Sequence, residues 1–308
     1  MPNNLHLLIL HVINRLYPMS SPASKSASGG YVFAFITVSQ WAGFVVLSKL
    51  AGASGLNGFD LTALRFGVAS LFLLPAWIFW KRVPLFNLRM LALALIGGIG
   101  YALTAYGGFH YAPGSHGAVL ISGILPFFVT ALAWLILREK PSVHRCAALG
   151  VIAAGVFCIA RYSLNNLHES WPGDLLMITA SCLWGLYTVL VKRWGQTPWE
   201  ITIGVALMSA LIYLPVYVLF LPKGLLAAPL HAIVLQGFFQ GVMVVIVAML
   251  CFMQAMARLG PTRLGAVMAT VPAFAGFGSV LILHEPFSWW LVAGLMLTCS
   301  GAWLGSRA

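Results

Sequence analysis

One stretch of the sequence occurs twice and decides the fold. It reads ITVSQWAG at residues 36–43 and ITASCLWG at residues 178–185, with four of the eight positions identical. Each copy lies in an apolar run long enough to cross a bilayer, which takes about 20 residues in an α-helix. The recurrence predicts that the chain is built from two related membrane-spanning halves.

Further matches follow in the same order along both halves, and their offset drifts only between 140 and 148 residues. They pair Asp60 to Pro75 with Glu200 to Pro215, Gly117-Ala118-Val119 with Gly265-Ala266-Val267, Pro126 with Pro272, Leu137-Arg138-Glu139 with Leu283-His284-Glu285, and Gly155 with Gly301. Chance does not keep both the order and the offset, so we interpret the halves as an internal repeat.

The composition excludes an ordinary soluble protein. Hydrophobic residues make up 61% of the 308 and charged residues only 7%, whereas soluble domains carry about 25% charged residues. The apolar runs are continuous rather than alternating, which favours helices over strands. We place spans at about 30–50, 59–80, 88–108, 114–137, 144–161, 174–194, 199–220, 232–257, 262–283 and 288–306.

The basic residues set the expected orientation. With a cytoplasmic N-terminus, thirteen Lys and Arg residues fall inside and three outside, a strong positive-inside bias. We therefore expect an all-α protein of the inner membrane, with ten transmembrane helices and both termini in the cytoplasm. The net charge of +11 is read as this topology signal and not as a nucleic-acid surface.

Domain boundaries follow from the spans. Residues 30–161 form the first five-helix repeat and residues 174–306 the second, preceded by a tail at 1–29. The apolar run in the tail is too short to span and lacks the basic start of a secretory signal. It either lies on the membrane surface or precedes a true start at Met19, which we favour.

Each repeat holds five spans, an odd number, so the second copy enters the membrane from the opposite side. Inverted repeats are the architecture of many secondary transporters, which alternate between two related conformations around a site near the midplane. Transport is therefore the function that the architecture favours, although a fold alone does not fix a function.

The pattern resembles the EamA-type members of the drug/metabolite transporter superfamily. The resemblance covers residues 30 to 306 and rests on a proline-bearing helix, a Glu at its end and a Gly-rich helix in each half, together with the stretch DLTALRF at residues 60–66. It implies export of amino acids or similar metabolites, or uptake of vitamins and related compounds. The second half carries Val205 where the first has Arg65.

Candidate substrate-binding residues are the polar and aromatic side chains inside spans. Arg65 is the basic residue deepest in a span, where an arginine costs at least ~2.5 kcal/mol, so it is expected to face a cavity or to bond backbone carbonyls. The full set is Gln40, Trp41, Arg65, Tyr101, Thr104, Ser122, Trp184, Thr188, Gln236 and Gln240. Helix–helix packing is the competing interpretation for the polar members.

Pro126 and Pro272 are candidate gating hinges, because proline removes a backbone hydrogen bond and lets a helix bend; a static kink is the alternative. Glu139 and Glu285 stand at helix ends and are expected to cap or pair there. No mid-span carboxylate occurs, which removes the usual proton relay and leaves uniport or exchange open.

Other function classes find little support. The histidines lie in the tail, in loops or at helix ends, no catalytic motif occurs, and the five cysteines are scattered singly. We expect no enzyme, no metal and no cofactor, with a small molecule and the lipid bilayer as partners and a monomer or homodimer as the assembly. The favoured hypothesis is an exporter; an uptake permease, a passive channel and a scaffold are the alternatives.

Overall fold

The structure, a computed structural model, describes residues 27–163, 167–268 and 270–305. Within these ranges every regular element is a helix, and the helices are α1 (Ala27–Ala53), α2 (Gly58–Phe79), α3 (Leu88–Tyr111), α4 (Gly114–Leu137), α5 (Val143–Ser163), α6 (Leu167–Arg193), α7 (Pro198–Phe220), α8 (Leu230–Gly260), α9 (Val271–Ile282) and α10 (Trp289–Gly305). A helical segment at 261–268 joins α8 to α9. The predicted all-α membrane fold is confirmed.

Seven helices are long and apolar enough to cross a membrane, whereas α9, α10 and the Val143–Cys158 part of α5 are shorter apolar stretches. The count of ten spans therefore stays a prediction. Large apolar side chains cover the outer surface: Phe79 is 73% exposed, Phe220 77% and Leu281 72%. Such a surface is unfavourable in water and fits lipid. Most of the predicted tail, together with Met19, lies outside the described residues.

Contacts between helix ends show that successive helices run in opposite directions. At the end where α1 begins, the rings of Trp80 and Trp199 lie 4.6 Å apart, which brings the end of α2 to the start of α7. We call this end of the bundle the terminal end, and it also holds the end of α10 at Gly305. At the opposite, distal end, Asn57 Nδ2 donates to the carbonyl of Pro222, joining the start of α2 to the end of α7.

The two halves use the same local devices at matching positions. Asn57 and Asp60 form a capping box at the start of α2, and Thr197 and Glu200 form another at the start of α7. Each box satisfies backbone N–H groups that a helix start leaves free. The repeat seen in the sequence therefore corresponds to a repeat of structure, with one copy inverted.

Left-handed backbone conformations recur in the same way. Arg138 and His284 have φ values of 62° and 55° just after α4 and α9. Gly55 and Gly195 have φ values of 79° and 61° just after α1 and α6. Glycine adopts this conformation without the steric cost that other residues carry, which explains why it ends these two helices.

Both proline-bearing spans are interrupted near the middle of their length. In α4 the helix breaks at Ile124 (φ −87°, ψ −7°), and Pro126 stands in the first turn after the break. In the second half the break is at Thr270 (φ −83°, ψ −10°), followed by Pro272. The span expected as one helix at 262–283 is therefore two pieces, because proline cannot donate to the backbone ladder that would join them.

The small residues of α10 pack against α5. A Cβ on Gly301 would come within 2.8 Å of the carbonyl of Ala148 and 2.6 Å of Ile152. A Cβ on Gly155 would come within 2.7 Å of the carbonyl of Gly294. Only glycine permits this approach of two helix backbones, so the GxxxG stretch ending at Gly305 serves packing within the chain.

Candidate functional site

A cavity of about 310 Å³ lies in the middle of the bundle between the two halves, within the size range of small-molecule sites. Both repeats contribute to it through α1, α2, α3, α4, α6, α7, α8, the segment 261–268, α9 and α10. Its walls are formed by Trp41, Phe44, Arg65, Phe66, Gly97, Gly98, Tyr101, Ile121, Ser122, Leu125, Pro126, Trp184, Tyr187, Ile201, Thr202, Val205, Ala206, Val244, Val245, Met249, Gly265, Met268, Val271, Pro272 and Ala302.

The cavity forms where helices depart from regular α geometry. Stretches of π-helix at Ala94–Gly100, Ala118–Gly123 and Gly237–Val247 supply or adjoin its walls on α3, α4 and α8. A π-helical stretch shifts side chains around the helix axis and often marks a functional site. Gly97 leaves room for the ring of Tyr187, which a Cβ at that position would overlap.

Arg65 projects from α2 into the wall and is only 8% exposed. Its guanidinium lies 5.8 Å from the Phe44 ring centroid and 6.0 Å from those of Phe66 and Tyr101. Among the described residues it has no carboxylate partner, and its Nε, fully buried, has no hydrogen-bond partner. Its one hydrogen bond within the described residues goes from Nη1 to the Tyr106 hydroxyl.

A chain of polar side chains fixes Arg65 from the distal side. Its Nη1 donates to the Tyr106 hydroxyl at 3.4 Å, and this hydroxyl donates to Gln240 Oε1 at 3.0 Å. Gln240 Nε2 in turn donates to Ser48 Oγ and to Gln236 Oε1, at 3.2 and 3.3 Å. The chain ties α2, α3, α8 and α1 together, and a satisfied buried network of this kind rigidifies its members.

Aromatic rings cover the other walls. The ring centroid of Trp184 lies 4.7 Å from that of Tyr101 and 5.0 Å from that of Tyr187. Trp41 stacks on Phe252 at 5.7 Å. Apolar walls with a few polar groups are the usual composition of a site for an organic ligand, because the rings provide area and the polar groups set orientation.

Residues of the second half that line the cavity near the terminal end have packed counterparts in the first half. Gly265 lines the cavity, whereas its repeat partner Gly117 lies against the ring of Phe109. Thr202 lines it as well, whereas its partner Thr62 is fully buried. The cavity therefore extends from the middle of the bundle toward the terminal end and not toward the distal end.

The distal end is closed by hydrogen bonds between helix termini. The Glu285 carboxylate accepts from the backbone N–H groups of Gly114 and Ser115, at 2.5 and 3.0 Å. Lys49 Nζ donates to the carbonyls of Phe109 and Ala112, at 2.9 Å each. Charge-assisted bonds of this kind are the stronger class of hydrogen bond, so they hold α1, α3, α4 and α9 together.

Comparison with known proteins identifies the family. The model of the EamA-like transporter family matches this chain twice, at residues 28–161 and 171–307. The chain belongs to the EamA-like transporter family. It is accordingly a multi-pass membrane transporter of the drug/metabolite type, with a small molecule as its substrate, and the family is one of carriers rather than enzymes.

Three curated relatives are similar to this EamA-like transporter. An "uncharacterized transporter" of Archaeoglobus fulgidus is 25% identical over 286 residues, covering 87% of the chain and 94% of the relative. YyaM of Bacillus subtilis is 29% identical over 140 residues, or 42% and 45% of the two chains. YoaV of the same bacterium is 22% identical over 222 residues, or 70% and 74%. All three are named as transporters, and none of the names gives a substrate.

A solved crystal structure shares the fold. It superposes with a TM-score of 0.62 at 22% sequence identity and covers 92% of this transporter and 100% of the solved chain. At this identity the similarity shows the architecture alone. It agrees with the inverted pair of five-helix units described above.

The structure brings part of the predicted binding set together in the transporter cavity. The predicted residues that line it are Trp41, Arg65, Tyr101, Ser122 and Trp184, joined by the predicted hinges Pro126 and Pro272. Their contact with a substrate stays a prediction. They come from different helices in both halves, as expected for a site between inverted repeats.

The other predicted residues lie away from the cavity wall. Gln236 and Gln240 belong to the network behind Arg65. Thr188 is exposed, and Thr104 is partly exposed; their hydroxyls bond the carbonyls of Trp184 and Gly100, four residues earlier. Such a bond satisfies the hydroxyl within its own helix, so a Thr in a span does not require a polar neighbour.

Gln40 is half-buried and its Oε1 atom, fully buried, has no partner within the described residues. Sequence reasoning missed Phe44, Tyr187 and Val205 as wall residues. Tyr187 follows Trp184 by one helical turn, which is a signal that could have found it. No such signal marks Phe44, because an aromatic residue in an apolar span is typical of helix packing.

Proposed function

We propose that this chain is a secondary transporter that exports small organic metabolites, amino acids or similar compounds, across the cell inner membrane by alternating access. The observation that carries the proposal is the mid-bundle cavity, which reaches the terminal end. The residues at the equivalent positions of the first half, Gly117 and Thr62, are packed at the distal end. An inverted repeat offers the mirror arrangement, with the distal end open, at similar energy.

The repeat predicts how the ends exchange roles. Glu285 caps the start of α4 at the closed distal end, whereas its partner Glu139 forms an exposed ion pair with Lys192 at the open terminal end. In the mirror conformation we expect Glu139 to leave Lys192 and cap the segment 261–268. The two carboxylates would then serve as alternating latches, each closing one end.

The terminal end is proposed to face the cytoplasm. Basic residues gather there at the ends of α2, α4 and α6, for example Arg82, Lys140 and Lys192. The positive-inside rule favours the cytoplasmic side for such clusters. A cavity open on that side is the loading state of an exporter, and we therefore favour export over uptake.

Pro126 and Pro272 are proposed as hinges, since each follows a helix break and both line the cavity. Replacing either with Ala restores a backbone donor and favours a continuous helix. We expect Pro126→Ala and Pro272→Ala to lower the maximal transport rate with little change in half-saturation. Unchanged rates in both folded variants would mean static kinks.

Counterflow in proteoliposomes tests the transport activity. Vesicles with purified protein are loaded with an unlabelled pool of amino acids, nucleosides or vitamins, and labelled compound is added outside. A carrier exchanges the label transiently and saturably, whereas a channel or a scaffold does not. Val205→Trp, which fills the cavity wall, should abolish exchange, and Val218→Trp, on an exposed position of the same helix, should preserve it.

Flux without saturation or counterflow would support a channel, and no flux with any pool would support a scaffold. Direction is measured separately, in cells that accumulate the identified substrate. Faster loss from cells that express the protein supports export, whereas faster uptake would favour the permease alternative.

A further inference from the structure

The cavity wall contains one full charge among the residues that the structure describes, and it is positive. Arg65 supplies it; the other wall residues are apolar, aromatic or small hydroxyl side chains. No carboxylate partner offsets it within the described chain. A buried guanidinium without a counter-ion favours an anion in the space that it faces.

The carboxylates with described side chains are engaged elsewhere. Asp60 is fully buried and accepts from Asn57, Tyr217, Gly224 and Leu225. The others with described side chains bond as follows: Glu139 with Lys192, Asp174 with His116, Glu200 with Thr197, and Glu285 with Gly114. None of these carboxylates lines the cavity. A bound ammonium group would therefore meet Arg65 and no opposite charge.

Several hydrogen-bonding groups of the wall have no partner within the described residues. The indole N–H groups of Trp41 and Trp184 can only donate, whereas the hydroxyls of Tyr101, Tyr187 and Ser122 can donate or accept. Together with the Arg65 guanidinium, which only donates, they give the wall more donors than acceptors. This balance fits a ligand that brings acceptors, as a carboxylate does.

The repeat places a charge on one side of the cavity only. Val205, the partner of Arg65, also lines the cavity, so the charge of the first half faces an apolar residue of the second. The two positions are both 8% exposed. A ligand that matches this pair has one anionic end and an apolar or aromatic body.

We infer that the cavity selects organic monoanions, namely carboxylates with an aromatic or apolar body and no amino group, over zwitterionic amino acids and over amines. This inference rests on the proposed transport function and, within its small organic metabolites, puts carboxylates without an amino group in the place of amino acids. Arg65 binds the carboxylate, and the rings of Trp41, Tyr101 and Trp184 enclose the body. An α-amino group brings a positive charge toward Arg65, where it is repelled.

A matched ligand series tests the inference on the wild-type protein. The four compounds share a phenyl body: 3-phenylpropanoate, phenylalanine, phenethylamine and 3-phenylpropanamide. Each competes for counterflow of labelled 3-phenylpropanoate in proteoliposomes. We expect the half-inhibitory concentration of phenylalanine and of the amide to exceed that of the acid at least about tenfold, because the amide lacks the negative charge and phenylalanine adds an ammonium group that Arg65 repels. The amine should not compete.

Substitutions test whether Arg65 causes the preference for the acid over the amide. In Arg65→Gln the ratio between amide and acid should fall to near one, a readout that does not depend on how much protein is folded. Arg258→Gln is the matched control, since it also removes a part-buried guanidinium, one that does not line the cavity. It should keep the wild-type ratio. If Arg65→Gln fails to fold, the wild-type series still decides.

The outcomes separate the two proposals. Preference for phenylalanine or the amine over the acid, or an acid preference that Arg65→Gln retains, would overturn the anion inference while transport stands. Counterflow of another compound class without any effect of 3-phenylpropanoate would do the same. Absence of counterflow with every compound pool would instead overturn the proposed function.

Discussion

Two charged residues of α2, Asp60 and Arg65, differ in how fully their hydrogen-bonding groups are satisfied. Both are buried charges on α2, five positions apart. Asp60 has four donors around its carboxylate, whereas Arg65 has one bonded nitrogen and a buried one without a partner. A satisfied buried charge stabilises a fold, and an unsatisfied one in a cavity wall is available to a ligand.

Replacing Asp60 tests whether its satisfied hydrogen bonds stabilise the fold. Asp60→Asn weakens charge-assisted bonds from Tyr217, Gly224 and Leu225. It also places the NH₂ group of the asparagine side chain, a donor, against groups that donate as well. We expect it to lower the free energy of unfolding by about 1–3 kcal/mol. Thermal unfolding of purified protein in detergent, followed by tryptophan fluorescence, measures the change.

Glu200→Gln is the control at the repeat-equivalent position. Glu200 makes only its capping-box bonds with Thr197, at a half-exposed site, so a loss of at most about 1 kcal/mol is expected. Equal destabilisation by the two variants would show that the Asp60 cluster adds nothing beyond a helix cap.

Elements were more predictable than the directions of individual side chains. The π-helical stretches and the breaks at Ile124 and Thr270 rotate the faces of α3, α4 and α8, and a periodicity of 3.6 cannot anticipate them. Ser122 and Thr130 illustrate the effect. A regular α-helix would place these two residues near one face of α4, yet Ser122 lines the cavity and Thr130 accepts from Arg145 of α5.

The breaks themselves were visible in the sequence as Pro126 and Pro272, because proline at matched repeat positions has a backbone consequence that needs no tertiary context. Gln240, by contrast, was expected to line the site and instead supports Arg65 through Tyr106. Whether a helix contributes to the cavity wall or to the network behind it depends on the rotation of the helix about its own axis. That rotation cannot be inferred from a single sequence.

At the element scale, the Glu285 cap on α4 is predicted to hold the distal end closed. Glu285→Gln replaces two charge-assisted bonds to Gly114 and Ser115 by weaker ones. A loss of about 1.4 kcal/mol shifts a two-state equilibrium tenfold. We therefore expect Ser115→Cys, in a background without the five native cysteines, to react roughly tenfold faster with a bulky thiol reagent.

Glu139→Gln is the matched control for this experiment. It breaks the repeat-equivalent pair with Lys192, which is exposed, and exposed pairs contribute only about 0–1 kcal/mol. Labelling of Ser115→Cys should stay within about twofold of the background. If Glu285→Gln and Glu139→Gln change the labelling rate of Ser115→Cys equally, or if neither changes it, the assignment of Glu285 as the distal latch is contradicted.

At the scale of the whole molecule, the alternation of helix ends predicts which loops face which side. Lys140 lies in a loop at the terminal end and Lys223 in one at the distal end, and both are exposed. In intact cells an impermeant thiol reagent should label Lys223→Cys and leave Lys140→Cys unlabelled until the membrane is permeabilised. The reverse pattern would place the cavity opening outside the cell and remove the main support for export.

The charge of the cavity also bears on how the transporter is driven. With Arg65 as the wall's one full charge in the described chain, a bound monoanion crosses without a carboxylate that could carry a proton beside it. Moving one charge through the membrane potential is worth about 2.3 kcal/mol per 100 mV, and an inside-negative potential pushes an anion outward. Potential alone is then sufficient to drive export.

Proteoliposomes with a potassium gradient separate this mechanism from proton coupling. Valinomycin sets the potential, and each change of about 60 mV should alter the accumulation ratio of 3-phenylpropanoate about tenfold, in the direction that the sign dictates. Nigericin exchanges potassium for protons without moving net charge, so under the same potassium gradient it imposes a pH gradient and no potential. It should drive no accumulation beyond that of protein-free vesicles. Protein-dependent accumulation that nigericin drives and valinomycin does not would instead require a proton site. Glu139 and Glu285 would then be the residues to examine, since they bond to different partners at the open and closed ends and their environments would exchange in every cycle.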